Sequence, residues 1–287
     1  KGKKGIITGA MNEQSIAWKV AEKAYEEGAE LVLTNTALSL RLGTLDKLAE
    51  KTGSLLVPAD ATSVEDLEHL VDASLEHFGG KFDFVLHSIG MSPNIRKGRS
   101  YDDLSYDFFQ KTVDISALSF HKLLQTLYKK DALNRGGSIV ALTYIAGDRA
   151  MPGYGDMADA KAMLQSIMRN FGMIYGREKG VRVNTVSQSP TMTTAGQGIS
   201  GLRQMYDYVD SISPLGNASA EDCADYVVTL FSDLTRKVTL QNLYNDGGFS
   251  SPLPFPYQTA TCGRGSGPRC FRKRPAPCIA RAPSALP

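Results

Sequence analysis

Seven short runs rich in β-branched and apolar residues alternate with longer stretches of helical periodicity through the first 250 residues. The strand candidates are Gly5–Thr8, Glu30–Thr34, Ser54–Val57, Phe82–His87, Ser138–Thr143, Val181–Ser187 and Thr239–Tyr244. Amphipathic segments such as Ser15–Glu27, Ser63–Phe78, Tyr106–Tyr128 and Asp156–Arg177 lie between them. In the first, Ile16, Val20 and Tyr25 fall near one face, with Lys19, Glu22 and Glu26 near the other. Strands apolar on both sides and alternating with helices predict a parallel sheet covered on both faces, hence a doubly wound α/β domain. Seven strands in this length fit one domain over residues 1–250.

The apolar fraction of 42% and charged fraction of 22% are those of an ordinary globular protein. No run of roughly 18 apolar residues exists to span a bilayer. Lys1-Gly2-Lys3-Lys4-Gly5 leads straight into the first strand, without the apolar core of a signal peptide. A cytoplasmic location is therefore expected. The net charge of +2 conceals two regions. Residues 251–287 carry six basic and no acidic side chains, three of the four cysteines and eight of the 13 prolines, so the preceding body is mildly acidic. Cys223 stands alone in that body, which excludes an internal disulfide framework, and no Cys/His spacing suggests a metal site. The tail cannot bury a core and reads as disordered, a non-native extension being its plainest explanation. Gln188–Gly216 reads as a long irregular stretch with one apolar patch at Met205–Val209. Because it follows a strand end, a lid over about 190–214 is expected.

Ile6-Ile7-Thr8-Gly9-Ala10 runs from a buried strand into a turn, and Ser15-Ile16-Ala17 opens the next helix. Unpartnered amides and the helix dipole at such a start suit a pyrophosphate, and Gly9 permits close backbone approach. Ser15 is expected to cap the helix and to offer its hydroxyl to a phosphate. The full GxGxxG fingerprint is missing, so this turn does not establish cofactor binding unaided. Strand two ends in Thr34-Asn35-Thr36-Ala37, and neutral Thr36 neither repels a 2′-phosphate nor grips a diol, which leaves NADH preferred and NADPH open. Asp60, beside Ala61, is placed to accept from an adenine amino group. His87-Ser88-Ile89-Gly90 closes strand four, and His87 is expected to be a satisfied strand-end histidine.

Tyr154 follows strand five by a short loop, and Lys161 comes seven residues later. On one helix that spacing is almost two turns, placing both side chains on one face about 10 Å apart along the axis. A tyrosine O–H can stabilise a developing oxyanion, and a lysine ammonium can hold ribose hydroxyls. Tyr175 and Lys179 form a second tyrosine–lysine pair, with YxxxK spacing. It directly precedes a strand start, at the opposite end of the sheet, and is expected to be a surface pair.

Taken together, these residues resemble the enoyl-acyl carrier protein reductases of bacterial type II fatty acid synthesis, a divergent branch of the short-chain dehydrogenases. The resemblance covers residues 2–250. It rests on Thr8-Gly9 with Ser15-Ile16-Ala17, on His87-Ser88-Ile89-Gly90, and on Tyr144 with Tyr154-x6-Lys161. Gly180-Val181-Arg182-Val183-Asn184 and Asn245-Asp246-Gly247-Gly248-Phe249 complete it. It implies a Rossmann fold and reduction of the trans-2 double bond of enoyl-acyl carrier protein by NADH. It further implies catalytic Tyr144, Tyr154 and Lys161, the first in a supporting role. Gly9, Ser15, Ile16, Thr36, Asp60, Ala61, Ile89 and Lys161 would form the cofactor set, joined by Thr191, Met192, Thr193, Thr194 and Ala195. Ser92 and Met157 would line the acyl pocket with Tyr144, Tyr154 and Met205, and Gln197–Tyr208 would form the lid. The family's usual homotetramer is expected, with neither nucleic acid nor membrane as partner. Gln188-Ser189-Pro190, Thr36 and Met91 depart from the common family pattern. Two alternatives stay open: a short-chain dehydrogenase acting on a carbonyl or alcohol, and a non-catalytic nucleotide- or nucleic-acid-binding protein using Arg272-Lys273-Arg274.

Overall fold

The computed structural model describes residues 1–193 and 202–251. Seven parallel strands form one sheet in the order β3-β2-β1-β4-β5-β6-β7. They are β1 (Lys4–Thr8), β2 (Glu30–Asn35), β3 (Leu55–Pro58), β4 (Phe82–His87), β5 (Leu133–Thr143), β6 (Arg182–Gln188) and β7 (Asn242–Asn245). The expected doubly wound Rossmann architecture is the observed one. Successive side chains of a strand point to opposite faces, so a strand between two helical layers is buried at every position. In β1, Ile6 joins one core and Ile7 the other, and neither is exposed.

Helices α1 (Ile16–Glu26), α3 (Leu45–Thr52) and α10 (Ala220–Phe231) cover one face. The other face carries α4 (Val64–Phe78), α7 (Ser119–Lys129) and α8 (Gly155–Ile174). Caps set several boundaries. Ser63 Oγ accepts from the Asp66 amide at the start of α4, and Gly79 ends that helix in the left-handed region at φ +67°. Ser219 and Asp222 form a reciprocal capping box on α10. Short helices α2 (Ala37–Leu42), α5 (Pro93–Arg96) and α6 (Tyr106–Val113) complete the connections toward the carboxyl ends of the strands.

Several expectations need correction. The stripe α1 buries is Ala17, Trp18, Val20, Ala21 and Ala24, while Tyr25 is 43% exposed, because α10 packs on the small-residue side. The predicted helix over Tyr106–Tyr128 contains a π-turn at Asp114–Leu118, and α8 ends in another at Tyr175–Lys179. Tyr175 is not a surface residue. It is buried, and its hydroxyl donates to Leu124 O at 2.7 Å, while Lys179 pairs with Asp131 at 2.8 Å. Strand β5 begins five residues early, at Leu133, since a register shift against β4 admits the Gly136-Gly137 pair that a propensity reading rejects. The Gln188–Gly216 stretch is not irregular throughout. It holds α9 (Leu202–Ile212), which buries Val209. The expected tail and the middle of the expected lid lie outside the described residues, and none of the described helices is long and apolar enough to cross a membrane.

Phe84 anchors the α1/α10 side of the sheet. Its ring stacks on Phe231 at 4.3 Å between centroids and occupies the space where a side chain on Gly5 would stand. Phe84→Ala is expected to cost about 3–5 kcal/mol, read by urea denaturation, through the cavity it leaves.

Candidate functional site

Ligands of doubly wound sheets bind beyond the carboxyl ends of the strands, where connections leave in opposite directions. Here that point lies between β1 and β4. Gly9 has φ +84°, and a Cβ built on it would come within 2.0 Å of Ser88 O, so the two strand ends meet backbone against backbone. Thr8 Oγ1 accepts from the Ser88 amide at 3.2 Å and the Gly9 amide donates to Thr34 O at 3.1 Å, tying three strand ends together. Asn35 adds a further tie, donating from Nδ2 to Ala10 O at 2.8 Å.

The turn after β1 differs from expectation at Ser15. Its side chain does not cap α1. The hydroxyl oxygen instead accepts from the Met11 and Asn12 amides at 3.2 and 3.1 Å, winding the turn, and α1 opens without a side-chain cap. The cap predicted there is found one connection later. Thr36 Oγ1 accepts from the Ser39 amide at 3.2 Å and starts α2.

A cavity of about 650 Å³ runs from this turn across the ends of β4 and β5. Among the expected cofactor residues, Gly9, Ser15, Ile16, Thr36, Asp60, Ala61, Ile89, Lys161, Thr191 and Thr193 line it. Met192 does not. The Thr193 amide donates to Thr191 O at 2.8 Å, a tight turn that throws the Met192 side chain out to solvent. Thr194 and Ala195 lie outside the described residues. The expected substrate residues Ser92, Tyr144, Tyr154, Met157 and Met205 all line the same cavity.

Tyr154 sits at the N-cap of α8 and Lys161 almost two turns along it. The Tyr144 and Tyr154 rings pack at 4.9 Å between centroids, tilted by 41°. Burial raises the pKa of both phenols, and Tyr154 and Asp246 push Tyr144 further the same way. Each therefore stays protonated at neutral pH and acts as a donor. Tyr144 directs its hydroxyl at Met205 Sδ, 3.2 Å away, a weak acceptor on α9. Lys161 is 7% exposed, donates from Nζ to Leu142 O at 2.9 Å, and has its pKa pushed down to about 8 by burial.

His87 meets only half of its expected bonding. One ring nitrogen, Nε2, lies 2.9 Å from Ser119 Oγ, while Nδ1 is buried without a partner among the described residues. Burial, followed by the nearby Lys161 charge, pushes its pKa down to about 3, so the ring is neutral. Sequence reasoning missed Asn35 and also the role of Gln188. The latter's Nε2 donates to Ala218 O and Ser219 O, and its Oε1 accepts from Asn245, pinning the end of β6 to α10 and β7. An amide ending a strand that already buries Arg182, Asn184, Thr185 and Ser187 was the available signal. Its partners, 30 or more residues away, were not visible.

The site residues present fit a dinucleotide. Gly9 leaves a cradle that a Cβ would fill, α1 presents an uncapped start, and a buried ammonium faces the same cavity. A family model described as Enoyl-(Acyl carrier protein) reductase matches residues 9–250. Over 250 residues the chain is 36% identical to enoyl-(acyl-carrier-protein) reductase (NADH) 2 of Rhizobium meliloti, covering 87% of this chain and 92% of that protein. Among solved structures, a FabI–NADH complex from Alistipes finegoldii is 71% identical with a TM-score of 0.87, covering 88% of this chain and 89% of that one. The Bacillus cereus enoyl-acyl carrier protein reductase, solved with NADP+ and indole naphthyridinone, is 29% identical with a TM-score of 0.82, covering 88% and 98%.

The depressed Lys161 pKa sets a pH dependence. In the unliganded protein the buried ammonium costs stability below about pH 8, and that cost is relieved as the pH rises toward the ordinary lysine value. Affinity for an anionic dinucleotide should be level below about pH 8 and fall by up to about tenfold per pH unit above it. Fluorescence titration across pH 6–10 measures this, and Lys161→Ala should abolish the slope.

Proposed function

Because the chain belongs to the enoyl-acyl carrier protein reductase family, we propose that its cavity reduces the C2–C3 double bond of enoyl-acyl carrier protein thioesters with NADH. The observation that carries this reading is the Tyr154–Lys161 pair on one helix, with the Tyr144 ring packed on Tyr154, all facing one cavity. Bound there, NADH supplies a hydride to the β-carbon of the substrate.

Formation of that C–H bond moves the π electrons onto the thioester oxygen. The neutral Tyr154 hydroxyl donates a hydrogen bond to this oxygen as its charge develops, and among the described residues no other group claims it. The enolate then takes a proton from solvent water at the α-carbon to give the saturated thioester. Tyr144 buttresses the Tyr154 ring and excludes water from one side. Lys161, fixed by Leu142 O, would hold the ribose hydroxyls of the bound dinucleotide with its ammonium. Around Thr36 the described residues that line the cavity are Thr34, Asn35, Leu38 and Ser39, none of them a cation to meet a 2′-phosphate, which supports NADH over NADPH. The cofactor set proposed is Gly9, Ser15, Ile16, Thr36, Asp60, Ala61, Ile89, Lys161, Thr191 and Thr193.

Crotonyl thioester mixed with the protein and NADH should yield butyryl thioester by mass spectrometry; NADH loss without that product would refute the assignment. Tyr154→Phe should lower kcat about 10²–10³-fold with NADH affinity within about twofold. Lys161→Ala should weaken NADH binding instead, and equal effects of both substitutions on NADH affinity would contradict the assigned roles. The homotetramer belongs to the same proposal, and light scattering at micromolar protein should return four times the chain mass.

A further inference from the structure

The first turn of α8 buries a carboxylate that the reaction above does not use. Asp156 has no exposed surface, and no cation pairs with it among the described residues. Three donors satisfy it instead. Its Oδ1 accepts from Ser92 Oγ at 2.6 Å, and its Oδ2 accepts from Asn94 Nδ2 and Thr112 Oγ1, both at 2.8 Å. Ser92 and Asn94 belong to the α5 segment and Thr112 to α6, so one side chain joins three helices.

The connections continue to the cavity wall. Ser92 Oγ, while donating to Asp156, accepts from the Ile95 amide at 3.1 Å and so caps α5. Ser92, Ile95 and Arg96 line the cavity on one side, with Tyr154 and Met157 from the first turn of α8 on the other. Ile95 also packs against that turn, since a Cβ on Gly155 would lie 3.5 Å from its Cγ1. The distance between this wall and the Tyr154 hydroxyl is therefore set through Asp156. Among the described residues, the part of the cavity built on the ends of β1 and β2 has no hydrogen bond to it.

We propose that Asp156 is a positioning residue for the acyl thioester: it fixes the α5 wall against the turn that carries Tyr154, and so places substrate without affecting cofactor. This rests on the reaction proposed above. Asn94 Nδ2 can only donate, and a carboxylate accepts from it and from both hydroxyls at once, whereas an amide in its place must turn one of its ends into a donor. Asn94 cannot flip to relieve a mismatch, because its Nδ2 donates to Ser105 O at 3.2 Å and its Oδ1 accepts from the Ser105 amide at 3.0 Å.

The test compares Asp156→Asn with Thr112→Val, which removes one of the same bonds on the side away from the cavity. Readouts are kcat and KM for crotonyl thioester, NADH affinity by fluorescence, and amide hydrogen exchange at Ser92–Arg96. In Asp156→Asn, KM should rise roughly ten- to a hundredfold with NADH affinity unchanged, and exchange at Ile95 should quicken. Thr112→Val should lose thermal stability yet keep wild-type KM. If both single variants lose thermal stability alike while kcat and KM stay at wild-type values, the proposal is overturned. Should Asp156→Asn not fold, Asn94→Ala, which removes a donor to Asp156 from a residue outside the cavity lining, carries the comparison: faster Ile95 exchange with raised KM supports the proposal, and unchanged values overturn it. Exchange is read without substrate. A wild-type protein that leaves crotonyl thioester unreduced would therefore refute the proposed reaction, and unaltered exchange in the variants would separately refute the role of Asp156.

Discussion

Where β1 leaves the sheet, the chain must cross the end of β4, and it does so with no side chain between the two backbones. Gly9 at φ +84° lies so close to Ser88 O that even a methyl group would overlap it. That approach costs backbone freedom in the unfolded chain, and it creates the crevice on which the rest of the molecule's chemistry depends. The turn wound by Ser15, the tie from Asn35 to Ala10 and the bond from Ser88 to Thr8 all hold the same few residues in place. A looser turn would fill the cradle with protein atoms, and the cavity running from α1 to Tyr154 would be divided.

The second constraint is electrostatic. Lys161 and the two tyrosines share a poorly hydrated wall, and desolvation penalises whichever form of each is charged. For the phenols this keeps the proton on the oxygen, where a hydrogen-bond donor is needed. For the ammonium it lowers the pKa to about 8, leaving a cation that an anionic ligand can stabilise. His87, close enough to feel the lysine, remains neutral and adds no second positive charge. Asp156, inside the same helix, is a buried carboxyl group met wholly by neutral donors from neighbouring segments. One helix thus holds a phenol donor, an ammonium and a carboxyl group within two turns, each maintained by different neighbours.

Much of this was legible from residue order. Most strands stood out because burial on both faces favours apolar side chains, and the Tyr154–Lys161 spacing is a property of any helix that contains both. Errors arose where a neighbour decides the outcome. Tyr175 carries the look of a surface partner for Lys179, yet a carbonyl on α7 takes its hydroxyl. Ser15 looks like a cap and winds a turn instead, while Met192 falls in the expected cofactor segment and turns outward. The π-turns that interrupt two helices have no composition signal, since each changes one hydrogen-bond register without changing hydrophobic pattern.

By itself the amino-acid sequence determined the alternation of elements, the parallel sheet, the glycine at the first turn and the residue types able to polarise a carbonyl. These follow from local propensity and periodicity, which act over a few residues. The tertiary structure alone decided that Tyr144 packs on Tyr154, that Gln188 reaches α10, and that Asp156 gathers donors from two other helices. Those contacts join residues 10 to 64 positions apart. Their geometry depends on how the helices lie across a twisted sheet, a property that no short stretch of chain contains.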